Sequence, residues 1–160
     1  MRGRRIAALI LIAVIGPVLP ACTVAPGGRT GVYQCADWAD FSDPALAFES
    51  ADAVVVGTPA ASTSTVPMMG VDAAVHEVAV RVVLKGEVED GGTIEVASTP
   101  ETCSDGGLYP SGDPLDTDAE LLLYLTTPST FGIRATLTPG EDTVRPAPPE
   151  DTLVSDAGGA

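Results

Sequence analysis

Apolar and polar residues alternate along much of the chain between residues 53 and 137, which predicts a series of short β-strands. The most regular stretch is 75–85 (VHEVAVRVVLK), where one face carries His76, Val78, Val80, Val82 and Leu84. A period of two residues places alternate side chains on opposite faces of a strand. By this pattern and by their β-branched content, further strands are predicted at 53–57 (AVVVG), 93–98 (TIEVAS), 120–126 (ELLLYLT) and 131–137 (FGIRATL).

One short helix is predicted ahead of the first strand, over residues 43–51 (DPALAFESA). Asp43 is a favoured N-cap residue, and Pro44 suits the first helical position. Gly, Pro and small polar residues predict loops at 59–70, 87–92 and 99–117. Five strands cannot comfortably leave both edges of a sheet open, so an all-β fold with a small closed or partly closed barrel is expected.

The N-terminus has the organisation of an export signal. Arg2, Arg4 and Arg5 precede a short apolar run over 6–15, which is too short to span a bilayer as a helix of about 20 residues. The sequence Leu19-Pro20-Ala21-Cys22 resembles the lipobox of bacterial lipoproteins. That resemblance implies cleavage before Cys22, a diacylglycerol on its thiol and fatty acids such as palmitate. The alternative is an ordinary secreted protein that is cut near Ala21.

Cleavage would leave a strongly acidic domain on a tether. Losing residues 1–21 removes three arginines and leaves 5 basic against 22 acidic side chains, a net charge of −17. Residues 22–34 are expected to form the lipid anchor and a flexible spacer, which places the domain on the outer face of the cell membrane. The acidity argues against a nucleic-acid partner, and the rich Ala, Gly, Pro and Asp content is typical of a high-GC actinobacterial source.

The remaining cysteines are Cys35 and Cys103. An even pair in an exported domain most simply forms a disulfide, here between the start of the domain and a loop 68 residues later. Two free thiols or a metal pair are the alternatives, although nearby His or Cys partners are missing. Residues 139–160 are rich in Pro, Asp, Glu and Gly with little to bury, which predicts an acidic, mostly disordered tail.

Four segments together resemble one family. They are FESADAVVVGTP (48–59), VHEVAVRVVLKGE (75–87), TIEVASTPETC (93–103) and ELLLYL (120–125). The pattern is similar to the bacterial branch of the tissue-inhibitor-of-metalloproteinase-like, or netrin-like, OB-fold domains. The resemblance covers roughly 35–138 and implies a five-stranded OB-like barrel with a helix beside it and a disulfide that holds the N-terminal segment. The family's inhibitors place a free N-terminal cysteine amine on a protease zinc. No residue here matches that amine, because Cys22 would be acylated and Cys35 is internal.

Candidate chemistry is sparse. His76 is the only histidine and is more typical of a packed or rim residue than of a catalytic base. Closely spaced carboxylates in one loop could bind calcium, but they do not match an EF-hand: Asp113, Asp116, Asp118 and Glu120. Trp38 could anchor a partner protein or pack over the end of the barrel beside the disulfide.

The sequence therefore predicts a membrane-tethered lipoprotein with a non-enzymatic, protein-binding OB-like module. We expect no catalytic residue, cofactor or bound metal, and the partner would be an unidentified envelope or extracellular protein. One alternative is a metal-dependent or small hydrolytic enzyme that uses the 113–120 loop. The other is a structural envelope lipoprotein without a discrete ligand.

Overall fold

The structure is a computed structural model that describes residues 36–102, 107–127 and 132–149. The chain divides after Thr30, and every described residue belongs to the unit Gly31–Ala160. The predicted signal peptide, the spacer over 22–34 and residues 150–160 lie outside the described residues. So do Cys22, Cys35 and Cys103. No disulfide is present in the described part of the chain, so the structure gives the predicted Cys35–Cys103 bond no support.

One helix precedes seven strands in the described ranges. The elements, in chain order, are α1 (Pro44–Ser50), β1 (Ala53–Pro59), β2 (Ser64–Met68), β3 (Val71–Lys85), β4 (Thr93–Ala97), β5 (Leu121–Thr126), β6 (Arg134–Thr136) and β7 (Val144–Pro146). The helix begins as predicted: the side chain of Asp43 accepts a hydrogen bond from Ala45 N at 2.9 Å, and Pro44 follows it. Among the described residues, no helix is both long and apolar enough to cross a bilayer.

Five of the strands close into a barrel, which confirms the prediction of a mostly β domain built on a small closed sheet. The ring runs β1–β3–β4–β6–β5 and returns to β1. Its neighbours are antiparallel except for β4 and β6, which pair in parallel at Val96–Arg134 and Ala97–Ala135. Closure satisfies both edges of these five strands, which an open five-stranded sheet could not do.

Two additional strands lie outside the ring, and both correct a sequence prediction. The segment 59–70 is not simply a loop, because β2 pairs with β3 from Ser64–Val75 to Met68–Val71. The two strands join through Met69 and Gly70, whose φ angles of 50° and 82° suit a two-residue hairpin turn. The tail prediction is wrong for 139–149, because β7 pairs with β5 and Thr143 is fully buried.

The core lies on both sides of β1. Val55 points into the barrel, where it packs with Val78, Val96 and Leu123. Val54 points outward, under the helix, into a second cluster: Phe41, Ala47, Ala51, Val54 and Tyr124. This double burial explains why the strand reads as a continuous apolar run rather than as an alternating one. A third cluster lies on the outer face of β3 and β4, because Val75 and Ala97 pair with each other and alternate with the inward-facing His76 and Val96. Its buried members are Met68, Ala73, Val75, Ala97 and Ala135.

Strand β3 departs from strict alternation near its end. His76, Val78 and Val80 face inward as predicted, but Leu84 is 36% exposed. Two irregularities in the β1–β3 register, between Val54 and Val55 and between Val56 and Gly57, change the side that the last residues face. Leu84 therefore lies outside the barrel, and the prediction that it shares the inner face is wrong.

Strand β6 is shorter than the predicted strand over 131–137. It covers only Arg134–Thr136, and Phe131 lies outside the described residues. Buried threonines tie the strand to its surroundings. Thr99 N donates to Thr136 Oγ1 at 2.9 Å, and Thr143 Oγ1 donates to Thr138 O at 2.8 Å. These hydrogen bonds join the start of the long loop, β6 and the approach to β7 into one body.

Candidate functional site

His76 lies on the inner face of β3 and is fully buried. Its Nδ1 lies 2.7 Å from Ala60 O, and its Nε2 lies 3.0 Å from Asp113 Oδ2. The carboxylate of Asp113 also accepts a hydrogen bond from Leu115 N at 3.0 Å. The histidine thus connects the segment after β1 to the long loop between β4 and β5.

Both ring nitrogens of His76 face hydrogen-bond acceptors, and this restricts the chemistry of the pair. A carbonyl oxygen cannot donate, so Nδ1 must carry the hydrogen of that contact. The hydrogen bond between Nε2 and Asp113 Oδ2 then requires one further hydrogen, carried by either the imidazole or the carboxyl group. Neither nitrogen has a free lone pair to activate a substrate, and the ring has no exposed surface. This arrangement holds a loop in place and does not provide a general base.

Tyr109 fixes the same loop at a second point. Its hydroxyl donates to Ser98 O at 2.7 Å and accepts from Ala74 N at 3.1 Å. Burial raises the pKa of Tyr109 above its usual value, and the negative charge of Asp113 raises it further, against the opposing effect of the hydrogen bonds to Ala74 and Ser98. Tyr109 and Asp113 together hold the loop against β3.

The carboxylates of the acidic loop over 113–120 do not converge on one site. Asp113 pairs with His76, whereas Glu120 forms a two-pronged ion pair with Arg81, in which Nη2 lies 2.9 Å from Oε2. The Arg81 hydrogen bond lowers the pKa of Glu120. Asp116 and Asp118 are exposed. In the described ranges no three His, Cys, Asp or Glu side chains are placed to hold a metal ion. The loop that suggested calcium binding has no such arrangement.

The sequence-predicted Trp38 is half-buried and lines a cleft of about 330 Å³. The Trp38 cleft is lined by Ala36, Trp38, Ala39, Glu101, Thr102, Thr138, Pro139 and Asp142. Two of its lining threonines are packed into the domain. Thr102 and Thr138 are almost fully buried, and Thr102 Oγ1 accepts a hydrogen bond from Ala36 N at 3.2 Å. Trp38 therefore forms a wall of a surface cleft and does not belong to the buried core clusters.

Two larger clefts adjoin the Trp38 cleft at Asp142. One, of about 460 Å³, also contains Glu101 and Glu141; the other, of about 560 Å³, contains Glu141 and Arg145. Asp142 lines all three. We call this continuous surface the acidic groove. The sequence pattern predicts a tail beyond residue 138, so sequence reasoning missed Glu141 and Asp142 as site residues.

Every basic side chain in the described ranges bonds to the protein itself. Arg81 pairs with Glu120, and Lys85 Nζ donates to Phe48 O at 2.7 Å. Arg134 Nη2 donates to Glu87 O at 2.7 Å, and Arg145 Nη2 donates to Phe41 O at 2.8 Å. The carboxylates of the acidic groove therefore have no cation from the described residues as a partner.

Comparison with known proteins adds no further information about the site. No protein-family model matches the chain, and no curated protein is detectably similar to it. The evidence about function is therefore the geometry and chemistry of the residues described above.

Proposed function

We propose that the chain is an exported lipoprotein, held by Cys22 to the outer face of the cell membrane, whose barrel binds another envelope or extracellular protein without catalysing a reaction. The tether is supported by the three arginines, the short apolar run and the lipobox-like Leu19–Cys22. Two or more acyl chains hold a protein stably to a bilayer, whereas one gives marginal anchoring.

The observation that carries the binding role is the Trp38 cleft. A half-buried tryptophan in the wall of a surface cleft offers a large rigid apolar area to a partner, and tryptophan is enriched among the residues that dominate binding energy. A catalytic role has less support. The buried His76 has both nitrogens engaged, and the carboxylates of Asp113 and Glu120 bond to separate partners.

The finer description of the fold is also part of the proposal. A five-stranded Greek-key barrel is the architecture of OB folds. The ring order β1–β3–β4–β6–β5, the single parallel contact and the helix packed against β1 all support an OB-like barrel of the tissue-inhibitor-of-metalloproteinase-like, or netrin-like, type. Fold likeness alone assigns no activity, so metalloprotease inhibition is not proposed.

A Cys35–Cys103 disulfide completes the proposal. The residues beside the two cysteines are already in contact, since Ala36 N donates to Thr102 Oγ1 at 3.2 Å. In the chain-entropy account, a bond closing a loop of this length stabilises by about 4 kcal/mol. Mass spectrometry of a proteolytic digest without reductant should recover the linked peptides. Free thiols at both positions would exclude the bond.

The binding role is tested by crosslinking on intact cells that carry the native chain, Trp38→Ala or Cys22→Ala. We expect one envelope protein to be captured by the native chain, and captured less by both variants. Purified partner should then bind the native chain and bind Trp38→Ala more weakly. The proposal would be contradicted if both variants captured the partner as well as the native chain does, or if no form captured a partner. Intact mass measurement of the native chain reports separately whether cleavage precedes Cys22 and how many acyl chains it carries.

A further inference from the structure

The acidic groove combines an aromatic wall with carboxylates that form no ion pair with any other described residue. Trp38 forms part of one wall, and Glu101 and Asp142 line the same cleft. Glu141 extends the negative lining into the two adjoining clefts. Among the described residues, Arg145 is the only cation that lines any of these three clefts, and its guanidinium bonds to the Phe41, Ser42 and Asp142 carbonyls.

The exposed charge of the domain is mainly negative, because its basic side chains are bonded within the domain. The described ranges contain four basic side chains, and each one bonds to a backbone carbonyl or a carboxylate of the domain: Arg81, Lys85, Arg134 and Arg145. The cations are thus used to hold the fold, while many carboxylates remain at the surface. A partner surface that complements this domain carries positive charge, which also speeds encounter.

A cation is the group that suits both features of the Trp38 cleft. The face of an indole ring attracts a guanidinium or ammonium group, and carboxylates provide charge-assisted hydrogen bonds to it. Thr102 and Thr138, which line the cleft, are nearly buried, so these two lining residues are already packed in place before an occupant arrives.

We infer that the Trp38 cleft binds a lysine or arginine side chain from an extended basic segment of the partner protein, with Glu101 and Asp142 as its counter-ions. The rest of that segment follows the acidic groove past Glu141. This inference rests on the proposed binding function and specifies the chemistry of the partner.

The test uses the only tryptophan of the chain as its reporter. The full chain, purified in detergent, is titrated with a synthetic hexapeptide of alternating arginine and serine, and separately with the matching glutamine–serine peptide. We expect a saturable change in Trp38 emission with the basic peptide and none with the neutral one. Added salt should weaken the binding, because exposed charges are screened. No saturable response to the basic peptide would overturn the inference.

Charge-removing variants separate a specific cleft from the overall charge. Glu101→Gln and Asp142→Asn should each weaken peptide binding about three- to fivefold, the range expected for exposed ion pairs. Glu77→Gln and Glu95→Gln remove the same charge from exposed positions on β3 and β4 outside the groove, and should change affinity less than about twofold. Equal weakening by all four variants would show attraction to net charge alone and would overturn the inference.

Isothermal titration calorimetry extends the test to Trp38→Ala, which has no fluorescence reporter. We expect its affinity for the basic peptide to fall at least about fivefold. The binding function and this inference fail in different ways. If crosslinking on cells identifies a partner that depends on Trp38 but no basic peptide binds, the proposed function stands and the cationic occupant is wrong. If the basic peptide binds and no partner is captured, the cleft chemistry is right and the protein-binding role is contradicted.

Discussion

Lys85, at the end of β3, donates a hydrogen bond from Nζ to Phe48 O at 2.7 Å and so closes the C-terminal end of helix α1. A second bond, 2.9 Å long, goes to Glu49 O, and the ammonium group lies 5.4 Å from the centre of the Phe48 ring. Lys85 therefore caps the helix and is not simply a solvated residue at the end of a strand. A positive charge at a helix C-terminus satisfies carbonyls that the helix itself leaves unpaired.

Replacing this lysine should loosen the helix against the barrel. We expect Lys85→Met to lower the free energy of unfolding by about 1–2 kcal/mol, because two charge-assisted bonds to carbonyls are lost while the aliphatic stem is kept. Urea denaturation measures the effect. Lys85→Arg is the matched control, and its free energy of unfolding should fall by less than half as much. An unchanged midpoint in Lys85→Met would contradict the capping role.

Gly86, the next residue, should tolerate no side chain. Its φ is +87°, and an added Cβ would lie 2.4 Å from Asp52 O. We expect Gly86→Ala to destabilise the domain by about 3 kcal/mol, from left-handed strain and a backbone clash together. Gly91 has a φ of +71° but nothing within 4 Å, so Gly91→Ala should cost only about 1 kcal/mol. The midpoints of thermal unfolding measure the two effects: Gly91→Ala reports the backbone strain alone, and Gly86→Ala reports the strain together with the clash.

The His76–Asp113 pair should be structural and strongly coupled. Removing one partner leaves a buried polar group unpaired, so His76→Leu and Asp113→Leu should each destabilise by about 3 kcal/mol. The destabilisation of the double variant should be clearly smaller than the sum of the two single destabilisations, because no unpaired polar partner then remains buried. Asp116→Asn, at an exposed position of the same loop, should change stability by less than about 0.5 kcal/mol. Additive losses in the double variant would exclude a direct interaction.

Tyr109 should make the domain less stable in alkali. Its pKa is raised in the folded state, chiefly by burial, so folding favours the neutral phenol. That contribution is fully present below the unfolded pKa of about 10 and is lost as the pH rises towards the folded pKa. The stability difference between the native chain and Tyr109→Phe should therefore shrink between about pH 9 and pH 12. A pH-independent difference would contradict the shift.

Glu77 and Glu95 face each other directly across β3 and β4, and both are exposed. Like charges at opposed positions destabilise an antiparallel pair. We expect Glu95→Lys to raise the free energy of unfolding by about 0.5–1 kcal/mol, with the gain reduced in high salt. Glu95→Gln should give a smaller gain. Equal stability of all three proteins in low salt would show that the two carboxylates do not interact.

The residues behind the family resemblance explain how far sequence reasoning could reach. Asp52 Oδ2 accepts a hydrogen bond from Thr127 N at 2.7 Å, which fastens the end of β5, and Gly57 lies where a Cβ would be 2.7 Å from Ala79 O. Lys85 and Gly86 hold the helix and the turn. The contacts described for these motif positions are internal to the protein and shape the barrel, so the motif could predict the architecture but not the function.

What the sequence did not reveal depends on long-range contacts. The β2–β3 hairpin turns at Met69-Gly70 and not at the usual Asn-Gly signal, and Pro67 reads as a break in a strand. Strand β7 has only three residues and gains its burial from β5. For His76 the signal was present, as a polar residue at an inward position of an apolar strand face. Its partner Asp113 lies 37 residues away and could not be chosen from the other loop carboxylates.

The prolines of the two outer strands limit how copies of the domain can meet. Strands β2 and β7 border open edges among the described residues, and the alternating hydrogen-bond pattern turns the nitrogens of Pro67 and Pro146 towards those edges. A proline there has no N–H to offer to a neighbouring strand. The proposed lipid tether would confine many copies to a thin layer at the cell surface, where lateral collisions are frequent. In that layer, proline edges would let the copies crowd together without pairing edge to edge, and their grooves would stay open to other proteins.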